Sequence, residues 1–270
     1  MRERPSNPDA VDLAMRGQAI LYSNPSTAAF GEAIALFERA LALDPQNLPA
    51  MTGLANALAG HALLTSDAGD AARAEKLIDA ILPVQPDNST AHRTRGLILG
   101  FIKHEVRPAI AEAERAIALD PNDADAHAEA GLRKGFLGHA EDGIVGVETA
   151  LRLSPRDRDV PIWQDYMCIL HDHLQHWAQA IEWCEKSRAG WPDNFGTYVA
   201  LAAAHAWAGH DKEAKEAAAQ LQRLHPGFTV QTYAASVSRN SNDPTYKDAI
   251  GRIAEGLRKA GLPEGDKKTD

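Results

Sequence analysis

The stretch Phe37-Glu38-Arg39-Ala40-Leu41-Ala42-Leu43-Asp44-Pro45 decides the fold. Counted back from Pro45, Ala33, Phe37 and Ala40 stand twelve, eight and five residues away, and offsets of four and seven put all three on one helical face. The proline then stops that helix. The same arrangement precedes Pro86, Pro121, Pro155, Pro192 and Pro226, so the six prolines mark a period near 34, with intervals of 41, 35, 34, 37 and 34 residues. Twelve residues before each stands a small side chain: Ala33, Ala74, Ala109, Gly143, Ala180 or Ala214.

Working outward, a second apolar helix precedes each stripe, over Val11 to Tyr22, Ala50 to Leu64, Ala91 to Ile102, Ala124 to Leu137, Ile162 to Leu174 and Tyr198 to Ala208. Gly17, Ala55, Gly96, Gly131 and Ala202 inside these first helices let the paired helix approach closely. Gly138 and Gly209 sit at the turns between partners, where a left-handed backbone is expected. Polar insertions at 23–27 and 65–69 lengthen two of those turns, Pro108 starts a helix where its missing N–H costs nothing, and repeat five is the least regular.

In these residues the chain resembles the tetratricopeptide repeat, a helix–turn–helix of 34 residues with small residues at set columns and a proline after the second helix. Tyr198, Leu201, Ala202, Gly209, Ala214, Ala218 and Pro226 occupy the family's columns in repeat six, with His205 where an aromatic is usual. The expected fold is all-α: a right-handed superhelical α-solenoid of about six helix pairs over residues 9–227. A flexible tail at 1–8 precedes it, capping helices follow at 228–262, and a disordered tail at 263–270 ends the chain. Thr229 and Asp243 read as N-caps of the two last helices, and Gly261-Leu262-Pro263 as the stop of the second. Ala10-Val11-Asp12-Leu13-Ala14-Met15-Arg16-Gly17 and Gly256-Leu257-Arg258-Lys259-Ala260-Gly261-Leu262-Pro263 look like the repeat region of some bacterial class III adenylate or guanylate cyclases and winged-helix regulators. That resemblance implies a regulatory, partner-binding arm, either free-standing or part of a larger chain, and transfers no cyclase or DNA-binding activity.

By analogy with the family, the first helices line a groove, exposing Thr52, Asn56, Arg93, Leu97, Ala128, Leu132, Gln164, Val199, Ala203 and Trp207. This lining is mixed and poor in charge, so Asn56 and Arg93 do not reproduce the family's clamp on a peptide carboxylate. A partner protein's extended or helical segment, held by apolar anchors and a few hydrogen bonds, is the expected ligand. A small-ligand sensor built on Trp163, Trp177, Trp183 and Trp191 of repeat five is the alternative.

The formal charge of −9, from 28 basic and 37 acidic residues among 270, disfavours non-specific nucleic-acid binding. No apolar run approaches the length needed to cross a bilayer, and the start has no secretory pattern. Cys168 and Cys184 cannot make a disulfide framework, and Cys184 falls on a core column as a free thiol would; a reducing cytoplasm is expected. His171, Asp172, His173 and His176 form the densest chemical cluster, but His171 and His173 are two apart on a helix and point different ways. No catalytic motif is present, and neither enzyme activity, a bound metal nor a cofactor is expected.

Overall fold

The computed structural model describes residues 7–23 and 26–265. Residues 1–6, Asn24 and Pro25 of the polar insertion, and residues 266–270 lie outside the described residues. The elements are α1 (Pro8–Ser23), α2 (Thr27–Leu43), α3 (Leu48–Thr65), α4 (Ala68–Ile81), α5 (Ser89–Leu97), a π-helical turn (Ile98–Ile102) and α6 (Val106–Leu119). They continue as α7 (Ala124–Phe136), α8 (Ala140–Leu153), α9 (Val160–His173), α10 (Trp177–Gly190), α11 (Phe195–Ala208), α12 (Asp211–Leu224), α13 (Val230–Val237) and α14 (Pro244–Lys259). The class is all-α, an α-solenoid of stacked helix pairs, with no strand among the described residues. The chain divides into two compact units, one ending at Ala126 and the other beginning at His127.

The periodic proline does more than stop a helix. The carbonyls of Asp44, Gln85, Asp120 and Trp191 each accept a bond from the amide three residues on, closing a turn with proline in its second position. The residue donating that amide then caps the next first helix: Asn47 Oδ1 accepts from Ala50 N, Asn88 Oδ1 from Ala91 N, Asp123 Oδ1 from Ala126 N and Asn194 Oδ1 from Gly196 N. Stop, turn and restart therefore occupy four residues.

In the first unit, Phe37 of α2 is buried between two glycines. A β-carbon at Gly17 of α1 would lie 2.9 Å from its ring, and one at Gly53 of α3 would lie 2.3 Å away. The ring contributes about 2–3 kcal/mol of burial there because both neighbours lack side chains. The 35-residue interval between Pro86 and Pro121 also has a physical cause. Lys103 N bonds to Ile98 O, five residues back, so the π turn holds one extra residue in the first helix of repeat three.

The second unit stacks α7/α8, α9/α10 and α11/α12. At one contact glycine meets glycine: a β-carbon at Gly131 would lie 2.5 Å from Gly143 O, and one at Gly143 would lie 2.6 Å from Gly131 O. The turns between partners use left-handed residues in both units, Ser66, His104, Gly138, Gln175 and Gly209, of which only two are glycine.

Repeat five departs from the expectation of free thiols: Cys168 of α9 and Cys184 of α10 are buried and joined by a disulfide, with α-carbons 5.1 Å apart. The chain end differs too. α13 starts with a Thr229–Thr232 capping box, and the carbonyls of Pro263 and Glu264, assigned above to the disordered tail, accept bonds from Val230 N and Gln231 N. α14 does not simply close the end of the stack; it lies along the first helices of the second unit.

Candidate partner-binding faces

On the first unit, the first helices present four of the anticipated residues. Thr52 and Asn56 of α3 are half-buried, and Thr52 Oγ1 accepts from Asn88 Nδ2 at 3.0 Å. Arg93 of α5 reaches Asp123 at 3.3 Å and Asp125 at 3.4 Å, so its guanidinium is fixed by two carboxylates. Leu97 is half-buried beside the core of this unit. Three of these side chains are polar and one is apolar.

The second unit is different. Ala128, Leu132, Val199 and Ala203 are all buried, and Gln164 and Trp207 are half-buried. Part of that burial comes from α14. A β-carbon at Gly256 would lie 2.9 Å from Ala203 Cα, and Val199 shares a core with Ile253, Leu257 and Leu262. Trp207 stacks on Trp177 with ring centroids 6.0 Å apart, donates from Nε1 to Arg252 O at 2.9 Å, and has the Lys259 ammonium over its ring at 4.2 Å. The aromatic placed in the groove lining thus holds the chain's own last helix.

α9 contributes acids that are absent from the anticipated lining. Asp165 and Asp172 stand seven apart on the stripe that includes Cys168, and both are buried. Asp165 accepts from Thr197 Oγ1 at 2.7 Å, and Asn194 Nδ2 donates to that hydroxyl at 2.8 Å. Burial raises the Asp165 carboxyl to about 6, against the lowering effect of hydrogen bonds from Thr197 and Asn194. Among the described residues Asp172 has no hydrogen-bonding partner for either oxygen. Burial, and then the charge of Asp165, push it well above the usual carboxylate range. His173, buried against Phe136 and Tyr246, is depressed to about 4 by burial and then by the Arg252 guanidinium. An acid every seventh residue on an otherwise apolar stripe was the available signal for these groups.

The histidines and tryptophans noted in the sequence are spread over several separate contacts. His171 and His176 approach at 3.4 Å between Nδ1 atoms, while His173 turns into the core. Burial, then the neighbouring His176, lowers the His171 pKa. Among the described residues no group of three or more His, Cys, Asp or Glu side chains is placed to hold a metal. Of the tryptophans, Trp163 is buried, Trp177 lies on Trp207, Trp183 sits under the Lys186 ammonium at 4.0 Å, and Trp191 is exposed. A cleft of about 480 Å³ opens instead between α10, α11 and α12, lined by Glu185, Arg188, His205, Glu213 and Arg223 among others, without a tryptophan. No helix among the described residues is long and apolar enough to cross a membrane.

Residues 28–98 match the family model of the tetratricopeptide repeat. No curated protein matches the chain in sequence. Among solved structures, the type IV pilus biogenesis factor PilW is similar at 17% identity, with 82% of this chain and 96% of that one covered and a TM-score of 0.61. PilF of Pseudomonas aeruginosa is similar at 17% identity, 82% and 93% coverage, and 0.60. A thermophilic tetratricopeptide-repeat protein of Thermus thermophilus is similar at 20% identity, 72% and 98% coverage, and 0.54. At these identities the likeness concerns the fold. It agrees with the paired helices described above.

Proposed function

We propose that this chain is a protein-interaction scaffold whose first-helix faces hold a segment of a partner protein, with no chemistry of its own. The observation that carries the reading is the seat of α14. On the second unit, a helix from outside the six pairs is held by Ala203, Trp207 and the carbonyl of His173, on the first helices α11 and α9. That is the helix-in-groove mode of recognition, performed within one chain. The equivalent residues of the first unit, Thr52, Asn56, Arg93 and Leu97, carry no such helix in the contacts described and supply hydrogen bonds beside an apolar anchor. Resemblance of the two end stretches to cyclase- and regulator-linked repeats favours a regulatory module.

Pull-down from a native lysate tests this with wild type, Leu97→Asp and, as a loop control, Val84→Asp, at a residue 70% exposed. One defined partner should be retained by wild type and Val84→Asp and lost by Leu97→Asp. Equal capture by all three refutes the assignment of the face.

A further inference from the structure

The second unit's first-helix face has an occupant, and the occupant has the properties of a ligand. α14 follows a polar connection, Ser238-Arg239-Asn240-Ser241-Asn242-Asp243, and its own N-cap is complete, since Asp243 Oδ1 accepts from Thr245 N and Tyr246 N. Its apolar stripe, Tyr246, Ala249, Ile253 and Leu257, needs no residue of another helix to form. Tyr246 enters between Phe136 and His173, with ring centroids at 5.3 and 5.5 Å, and small residues follow so that Gly256 can touch the α11 backbone.

The seat is imperfect where it is polar. Arg252 donates to His173 O at 3.1 Å, yet its Nε is buried without a hydrogen-bonding partner among the described residues, as are both oxygens of Asp172. An unsatisfied group of this kind opposes burial. Lifting α14 exposes Arg252 Nε to water and recovers part of that cost, so the helix is held less firmly than its apolar stripe alone would hold it.

We propose that the face formed by α7, α9 and α11 is a binding site for an amphipathic helix, that α14 fills it in cis, and that a partner protein's helix of the same pattern exchanges with α14. The pattern is an aromatic at the start of the helix and small residues about three turns later. This rests on the scaffold reading above and extends it to the second unit, which binds only when its own tail is displaced. The in-cis occupant lowers the apparent affinity for a competing helix by the fraction of molecules that are open.

Two measurements on the full chain test it. In hydrogen exchange on the wild type, residues 244–259 should open as a unit of their own, ahead of α11 and α12; exchange of α14 together with α11 overturns the proposal. In the second, a fluorescein-labelled synthetic peptide of residues 239–265 is titrated against wild type and Gly256→Leu, whose side chain cannot fit over Ala203. The variant should keep α11 protected, release α14, and bind the peptide at least about tenfold tighter than wild type. A folded variant without gained affinity, a variant whose α11 loses protection, or a dimer formed by exchange of α14 between copies each overturns it. Loss of the partner on Leu97→Asp together with an unexchanging α14 would leave the scaffold reading standing and remove this one.

Discussion

Replacing Gly131 tests the packing that brings α7 and α8 together. An alanine β-carbon at this position would lie 2.5 Å from Gly143 O, 3.0 Å from Val147 Cγ2 and 3.2 Å from Val147 N. Unstrained contacts need about 3.5 Å, so the helices must separate by about 1 Å against backbone atoms that cannot rotate away. Overpacking costs about 1–3 kcal/mol in general, and against backbone atoms the upper part of that range, about 2–3 kcal/mol, applies; the better helix propensity of alanine returns about 1 kcal/mol. The net expectation is a loss of about 1–2 kcal/mol for Gly131→Ala and more for Gly131→Leu. All five tryptophans, Trp163, Trp177, Trp183, Trp191 and Trp207, lie in the second unit, so their fluorescence reports its unfolding in urea without interference from the first. With a slope of about 2 kcal/mol per molar urea, the midpoint should fall by about 0.5–1 M. Because Gly143 bears on the same contact from the other side, Gly143→Ala added to Gly131→Ala should cost less than the sum of the two alone. A midpoint that stays or rises with Gly131→Ala refutes the close approach.

Other consequences are as specific. Asp172→Asn should stabilise the second unit at pH 7.5, and the gain should vanish toward pH 4: a carboxyl raised in the folded state contributes stability below its unfolded pKa and loses it as pH rises, as Asp165 does through about 6. His173 acts in the opposite direction, since its depressed folded value of about 4 withdraws stability as pH falls from its ordinary range toward that value; over that window it offsets one of the two raised carboxyls, so the urea midpoint of the wild type should still fall as pH rises. Gln175→Gly should raise stability by about 1 kcal/mol, because Gln175 holds a left-handed φ of 61° in the turn where the neighbouring repeats have glycine; an unchanged midpoint would show the turn to be unstrained. Thiol titration of the unfolded, unreduced chain should find no free thiol, and Cys184→Ser, which opens a link 16 residues apart, should cost about 3 kcal/mol; two thiols per chain would contradict the pairing of Cys168 and Cys184.

The repeat was legible because its constraints are local and recur. Pro45 and its five successors, the small column from Ala33 to Ala214, and Phe37 against Gly17 and Gly53 are each a consequence of two helices meeting at a fixed angle, so periodicity alone exposes them. The extra residue of repeat three was visible as a 35-residue interval, although only the Ile98–Ile102 turn shows where it goes. Repeat five was less legible. α9 begins at Val160, five residues after Pro155, whereas α7 begins three after Pro121, and this slides Gln164 against the acids Asp165 and Asp172. The seat of α14 was not legible at all. Its caps, Asp243 and Gly261, and its apolar stripe are local properties, but the choice between closing the end of the stack and lying along its first helices depends on contacts with Phe136 and Ala203, more than forty residues away.

A photo-crosslinking side chain at Asn56, compared with one at Lys76 of α4, tests the scaffold reading most directly in living cells. The account predicts an adduct with one defined partner protein from position 56 alone, lost when Leu97→Asp is added. The same adduct from both positions, or one indifferent to Leu97→Asp, would contradict it.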